Sequence, residues 1–144
     1  MNYDQLKERI KKHEGYRDMV YKDSLGFATI GYGHLVKSHE RFEKNKRYTE
    51  PELERLFEYD FNIACKDADE VLKNSGDQPL EVYGVIIEMC FQLGRPKVMK
   101  FKRMLAHIRN NEYKLASQEA LNSLWAKQTP KRAQDLAEIL SNVG

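Results

Sequence analysis

The sequence predicts an α+β fold that is mostly helical, with its β structure confined to one stretch near the N-terminus. Three observations predict it. β-Branched and aromatic residues gather among glycines only between 18 and 36. An apolar helical period runs nearly unbroken from about 50 to 74, and apolar helical segments punctuated by Pro and Gly fill the remainder. With 144 residues against about 150 per domain, one domain is expected. It reads as bilobed, a small lobe at about 14–60 and a helical lobe made from about 1–13 and 61–144.

Tyr3, Leu6 and Ile10 stand at helical spacing, with Asn2 or Asp4 placed to cap a helix that Gly15 ends. Val20, Tyr21, Phe27, Thr29, Ile30, Tyr32 and Val36 follow, interrupted by Asp23-Ser24-Leu25-Gly26 and by Gly31 and Gly33. That pattern predicts a small antiparallel hairpin. Residues 37–48, rich in Lys, Arg and Glu, read as loop or a short irregular strand. Thr49-Glu50-Pro51-Glu52 is a capping box with Pro in the first turn, opening the long helix that Asn74-Ser75-Gly76-Asp77 stops.

Pro79 opens a helix carrying Val82, Val85, Ile86, Met89, Cys90 and Leu93, which Gly94 and Pro96 are expected to close. Two more are expected at about 98–108 and 112–126, and a last one begins at Thr129-Pro130. The long helix would join the two lobes, and a cleft between lobes is the usual place for a ligand.

Composition excludes several classes. No apolar run approaches the ~18 residues of a spanning helix, and the charged segment Met1–Ile10 does not read as a secretory signal. A protein made in a cytoplasm is expected. Cys65 and Cys90 sit in apolar helical patterns and read as reduced packing residues. Net charge is +2, but residues 1–72 carry −2 and residues 73–144 carry +4. A basic half attracts polyanions such as cell wall or DNA, and charge alone does not choose between them or a plain solvated surface.

The four histidines, at 13, 34, 39 and 107, are scattered, and no two Cys or His share ligand spacing, so neither metal nor cofactor is expected. What remains is a carboxylate pair: Glu14 where the first helix ends, Asp23 on the turn of the hairpin, and Thr29 on the returning strand. Cleaving a glycosidic bond needs one carboxyl that holds a proton and one that is ionised across the sugar. Among 22 acidic residues, surface charge or turn formation is by itself the better explanation of these two.

Spacing decides. Glu14, eight residues, Asp23, five residues and Thr29 is the pattern of the T-even phage lysozymes, glycoside hydrolase family 24, which this sequence resembles. Glu14-Gly15-Tyr16-Arg17, Val20-Tyr21-Lys22-Asp23 and Gly26-Phe27-Ala28-Thr29-Ile30-Gly31-Tyr32-Gly33-His34-Leu35 carry the likeness. Leu56-Phe57-Glu58-Tyr59-Asp60, Phe91-Gln92-Leu93-Gly94 and Trp125-Ala126-Lys127-Gln128-Thr129-Pro130-Lys131-Arg132-Ala133 extend it, in order, over nearly the whole chain.

The resemblance implies a lysozyme-like fold and hydrolysis of the β-1,4 bond between N-acetylmuramic acid and N-acetylglucosamine in peptidoglycan. It makes Glu14 the general acid, which needs a pKa above the free ~4.3 to donate at neutral pH. Asp23 would stay ionised and, with Thr29, position the water. An inverting outcome is implied, with carboxyl groups roughly 6.5–9.5 Å apart. Leu35, Phe91 and Gln92 match substrate-lining positions, although periodicity alone would put Phe91 in the core. Trp125 is expected to pack behind Gln92. Arg132 matches an arginine that approaches the catalytic glutamate, and His34 and Asp60 match an ion pair read as structural. Met104 and Glu119 replace polar family positions and receive no substrate contact.

The implied setting is a monomeric endolysin that accumulates in the host cytoplasm until a holin-type lesion releases it to the wall. It binds no nucleic acid and inserts in no membrane. Rival readings are a lytic transglycosylase, a noncatalytic wall-binding module on the same fold, and a helical nucleic-acid binder using the basic half. Asp23 and Thr29 speak against the first, because a water-positioning pair is redundant where the sugar's own hydroxyl attacks.

Overall fold

The structure is a computed structural model that describes residues 2–144. Its elements run α1 (Tyr3–Glu14), β1 (Arg17–Lys22), β2 (Ala28–Gly31), β3 (His34–Leu35), α2 (Glu50–Val71), α3 (Leu80–Leu93), α4 (Arg95–Met99), α5 (Lys102–Arg109), α6 (Tyr113–Leu121), α7 (Leu124–Gln128) and α8 (Pro130–Ser141). This is a mostly helical α+β fold with one small antiparallel sheet. The chain divides into two compact units, Asp4–Ile63 and a second formed by Ala64–Gly144 with the first residues.

In the unit Asp4–Ile63, α1 buries Leu6 and Ile10 on one stripe, and α2 contributes Leu53, Phe57 and Phe61 at fourfold spacing. The Phe57 and Phe61 rings stack at 6.1 Å, and Tyr32 meets Phe57 edge-on at 5.5 Å. Two lysines of α1 close the helix pair. Lys11 Nζ lies 2.6 Å from Glu54 and 4.9 Å above the Phe57 ring, and Lys7 Nζ lies 2.9 Å from Glu58 and 5.1 Å above Phe61. These contacts tie α1 to the first half of α2 within that unit.

The sheet has three antiparallel strands in the order β1-β2-β3. Tyr21 faces Thr29 and Lys22 faces Ala28, with an irregular register between Arg17 and Tyr21. Thr29 faces Leu35 and Ile30 faces His34. A third strand, two residues long, thus extends the expected hairpin. Residues 36–49 form no regular element. At the start of α2, the Glu52 amide donates to Thr49 Oγ1 at 3.4 Å, the N-cap half of the box, while the Glu52 carboxylate accepts the Thr49 hydroxyl at 2.9 Å.

In the second unit, α3 is buried all round from Gly84 to Cys90. Val98, Ile108, Ala116, Ala133, Leu136 and Leu140 add to its core, and α6 packs on both α5 and α8. As expected, α3 ends at Leu93 before Gly94 and Pro96, and Pro96, whose missing amide suits a first turn, also helps open α4. Two sequence expectations are corrected here. The expected 98–108 helix is split into α4 and α5 around Phe101, whose ψ of 58° is non-helical. The 112–126 helix breaks at Asn122 and Ser123, where the Ser123 hydroxyl accepts the Ala126 amide at 3.2 Å and caps α7.

Both cysteines are free. Burial, then the Asp67 charge, push the Cys90 thiol up to about 12, beyond thiolate chemistry. Among the described residues, no helix is long and apolar enough to cross a membrane.

Candidate active site

Glu14 is the last residue of α1, and Gly15, at φ +76°, turns the chain out of the helix with its amide on the Lys11 carbonyl at 2.9 Å. The half-buried Glu14 carboxyl rests against the turn between β2 and β3. A Cβ built on Gly33 would lie 2.9 Å from Glu14 Cδ, with the carboxyl oxygen nearer still. At φ +73° Gly33 is also in the left-handed region. Glycine here therefore serves both the turn and the acid.

Asp23 organises the turn from β1 to β2. Its Oδ1 accepts the Leu25 amide at 2.9 Å and the Phe27 amide at 2.8 Å. Its own amide donates to the Phe27 carbonyl at 2.9 Å, and Gly26 completes the turn at φ +87°. The buried Thr29 hydroxyl donates to that same Phe27 carbonyl at 2.9 Å. One residue's backbone thus holds both Asp23 and Thr29. Since the Thr29 proton is committed, its oxygen faces any further partner as an acceptor.

Tyr21 ties the acids together. Directly across from Thr29, it shares that face of the sheet. Its phenol is raised above the usual range by burial, then by the negative charges of Glu14 and Asp23, with Arg17 opposing. Arg17 lies 4.8 Å above the Tyr21 ring. Both carboxylates therefore act on one phenol.

His34 sits between two carboxylates. Its Nδ1 is 2.7 Å from Asp60 Oδ2, and its Nε2 is 2.9 Å and 3.0 Å from the two Glu40 oxygens. Both nitrogens can donate only in the imidazolium, so this geometry calls for a charged ring. Burial pulls the His34 pKa down, but the hydrogen bonds and charges of Asp60 and Glu40 outweigh it and the net direction is up. Burial likewise opposes ionisation of Glu40, yet the Lys37 amide and His34 bring its pKa below the ordinary carboxylate range.

Of the remaining expected residues, Leu35 belongs to the sheet unit and the others to the second unit. Arg132 Nε donates to Glu88 Oε2 at 2.8 Å, and both side chains are buried. Gln92 Oε1 accepts the Trp125 indole N–H at 2.8 Å, and its Nε2 reaches Thr129 Oγ1 at 3.4 Å. Trp125 is buried, edge-on to Phe101 at 5.9 Å. Phe91 is half-buried, and Leu35, in the sheet unit, is 51% exposed beside a His34 that is 5% exposed.

Two charged partners of expected residues, Glu40 beside His34 and Glu88 beside Arg132, are not foreseen from the sequence. Glu40 lies in a charged stretch with no period to mark it. Glu88 did leave a signal, as the one charge inside Val85-Ile86-Ile87-Glu88-Met89-Cys90, where burial demands a cation.

Residues 11–138 match the family described as phage lysozyme. Two Dictyostelium discoideum proteins, described as probable T4-type lysozymes 2 and 1, are each 31% identical to this chain. The first match covers 93% of this chain and 92% of the relative, and the second 94% and 92%. The pre-baseplate central spike protein Gp5 of Enterobacteria phage T4 is 27% identical over 94% of this chain, which spans 27% of that protein.

Proposed function

The chain belongs to the phage lysozyme family and is a glycoside hydrolase that acts on the bacterial cell wall, and from that premise we propose the bond, the residues and the stereochemistry. The bond is the β-1,4 link between N-acetylmuramic acid and N-acetylglucosamine. Glu14 gives its proton to the glycosidic oxygen as that bond breaks. A water attacks the anomeric carbon from the opposite face, and its proton passes to Asp23.

The observation that carries this reading is the shared Phe27 backbone. Both amides that Asp23 accepts fall on Oδ1, which leaves Oδ2 to take a hydrogen of the water. Thr29, its own proton on the Phe27 carbonyl, takes the other through its oxygen. The ionised Asp23 also stabilises the positive charge that develops on the sugar. Inversion follows from direct attack by this water, for which the acids must stand roughly 6.5–9.5 Å apart.

In the same reading Leu35, Phe91 and Gln92 line the substrate. The amide of Gln92 is oriented by Trp125 and Thr129, and the guanidinium of Arg132 is held by Glu88. No cofactor is required. The enzyme works as a monomer on the wall after leaving the host cytoplasm through a holin-type lesion. NMR of freshly cleaved soluble peptidoglycan tests the chemistry: a first-formed α-anomer is expected. A first-formed β-anomer would overturn inversion, and a 1,6-anhydro end would establish a transglycosylase instead.

A further inference from the structure

The His34 clasp has two arms of different kinds. Asp60 stands on α2, where helical hydrogen bonds hold it, while Glu40 stands on a segment, residues 37–48, without regular structure. The segment is tied at its far end to β1, by the Tyr48 amide on the Asp18 carbonyl at 2.9 Å and by Arg47 on Asp18 at 3.0 Å. Within it, Tyr48 Oη accepts the Glu43 amide at 2.7 Å, and the Phe42 ring lies 5.2 Å from Tyr48 and 6.3 Å from His34. At its near end Glu40 Oε1 accepts the Lys37 amide at 2.7 Å while both its oxygens face His34.

What this clasp holds is β3, whose two residues face opposite ways. His34 points into the unit, and Leu35 points out, opposite Thr29 in register. From this geometry we infer that Glu40 is a positioning residue of the reaction: by clasping His34 it pins the 37–48 segment and β3, and so fixes Leu35 beside Thr29 where the glycan binds. This rests on the reading of Leu35 as a substrate-lining residue.

The clasp depends on charge. The charged groups facing the imidazole are Asp60 from α2 and Glu40 from the segment, with Lys37 next to Glu40. A neutral imidazole has one N–H, so one carboxylate then meets a lone pair. The arm on the irregular segment gives way before the arm on the helix. Loss of the His34 proton therefore loosens 37–48 and Leu35 and weakens substrate binding, while Asp23 and Thr29, tied to the Phe27 backbone, and Glu14, on the end of α1, keep those supports of their own.

Two readouts test this on the full chain, as parent, Glu40→Gln and Glu40→Ala. One is KM and kcat on soluble uncross-linked peptidoglycan strands from about pH 5 to about pH 9, with His34 followed by NMR. The other is amide-exchange protection of residues 38–47 over the same range. The parent is expected to show KM rising about tenfold, a shift equivalent to one lost charge-assisted hydrogen bond, as His34 deprotonates. Segment protection should fall with it. Glu40→Ala should begin with the raised KM and low protection and change little further, with kcat near the parent's at every pH. Glu40→Gln keeps an acceptor but not the charge, and should move both transitions to lower pH. Parent-like KM profiles in the variants, or protection indifferent to the state of His34, would overturn the inference. Turnover by Glu14→Gln would instead count against the acid assignment and leave the exchange result standing.

Discussion

Asp23 and Thr29 converge on one carbonyl: the Asp23 amide and the Thr29 hydroxyl each donate to Phe27 O at 2.9 Å. Because Asp23 Oδ1 also accepts the Phe27 amide, any shift of that residue moves both side chains together. In the proposed mechanism the attacking water would be located by this single stretch of backbone, which is how preorganisation lowers a barrier.

Removing the acceptor tests this pairing. Thr29→Val should lower kcat roughly 10- to 100-fold while leaving KM nearly unchanged, since the interaction is made with the attacking water. Thr29→Ser should keep most of the activity. Steady-state kinetics on soluble glycan strands measures both. Equal loss in the two variants would place the effect in packing of the buried methyl.

Gly33→Ala should be worse for activity than for stability. The left-handed backbone costs about 1–2 kcal/mol for a residue with a Cβ. The added methyl also meets the Glu14 carboxyl, whose Cδ would be only 2.9 Å away. Displacing the acid should reduce wall clearing about 100-fold or more, while the unfolding midpoint falls only by the backbone cost. Full clearing by a folded Gly33→Ala protein would show that Glu14 does not work from this position.

Glu14, Asp23 and Thr29 fall on a helix end, a turn and a short strand that glycine and turn chemistry mark locally and make legible in the sequence. The roles proposed for them come from the family resemblance and not from those marks. The start of α2 was legible for the same local reason, since Thr49 does accept the Glu52 amide as the N-cap its sequence spells. Breaks made by tertiary packing left no such mark. Phe101 interrupts the α4–α5 stretch, and its ring packs on Trp125, 24 residues away, as no local pattern reveals. Glu40 was invisible for a related reason: its role depends on His34, across a turn in an aperiodic segment.

Stability should pass through a maximum in pH set by the clasp. The folded pKa of His34 lies above its ordinary value near 6.5, so its contribution is complete below that value and is lost as pH rises through the folded pKa. Glu40 is shifted down, so its contribution is complete above the ordinary carboxylate value and is lost as pH falls through the folded one. His34→Gln should flatten the alkaline side in denaturant unfolding. An unchanged alkaline slope would mean that the pair gains nothing from the charge.

The buried pair in the second unit should behave oppositely to an exposed one. Arg132→Met leaves the Glu88 carboxylate buried against an apolar side chain and should cost about 3–5 kcal/mol. Adding Glu88→Gln should recover a large part, because the amide needs no counter-charge. Urea unfolding of the single and double variants checks this. A double variant less stable than Arg132→Met alone would show that the pair itself is not the source.

The proton on Glu14 remains the heart of the account, and its direct test is wall clearing by Glu14→Gln beside the parent, with folding of both confirmed by their unfolding midpoints. The amide keeps the size and polarity of the acid and lacks the proton to give. A folded variant that clears walls at least about 100-fold more slowly is the predicted result. A variant that clears at the parent's rate would contradict the assignment.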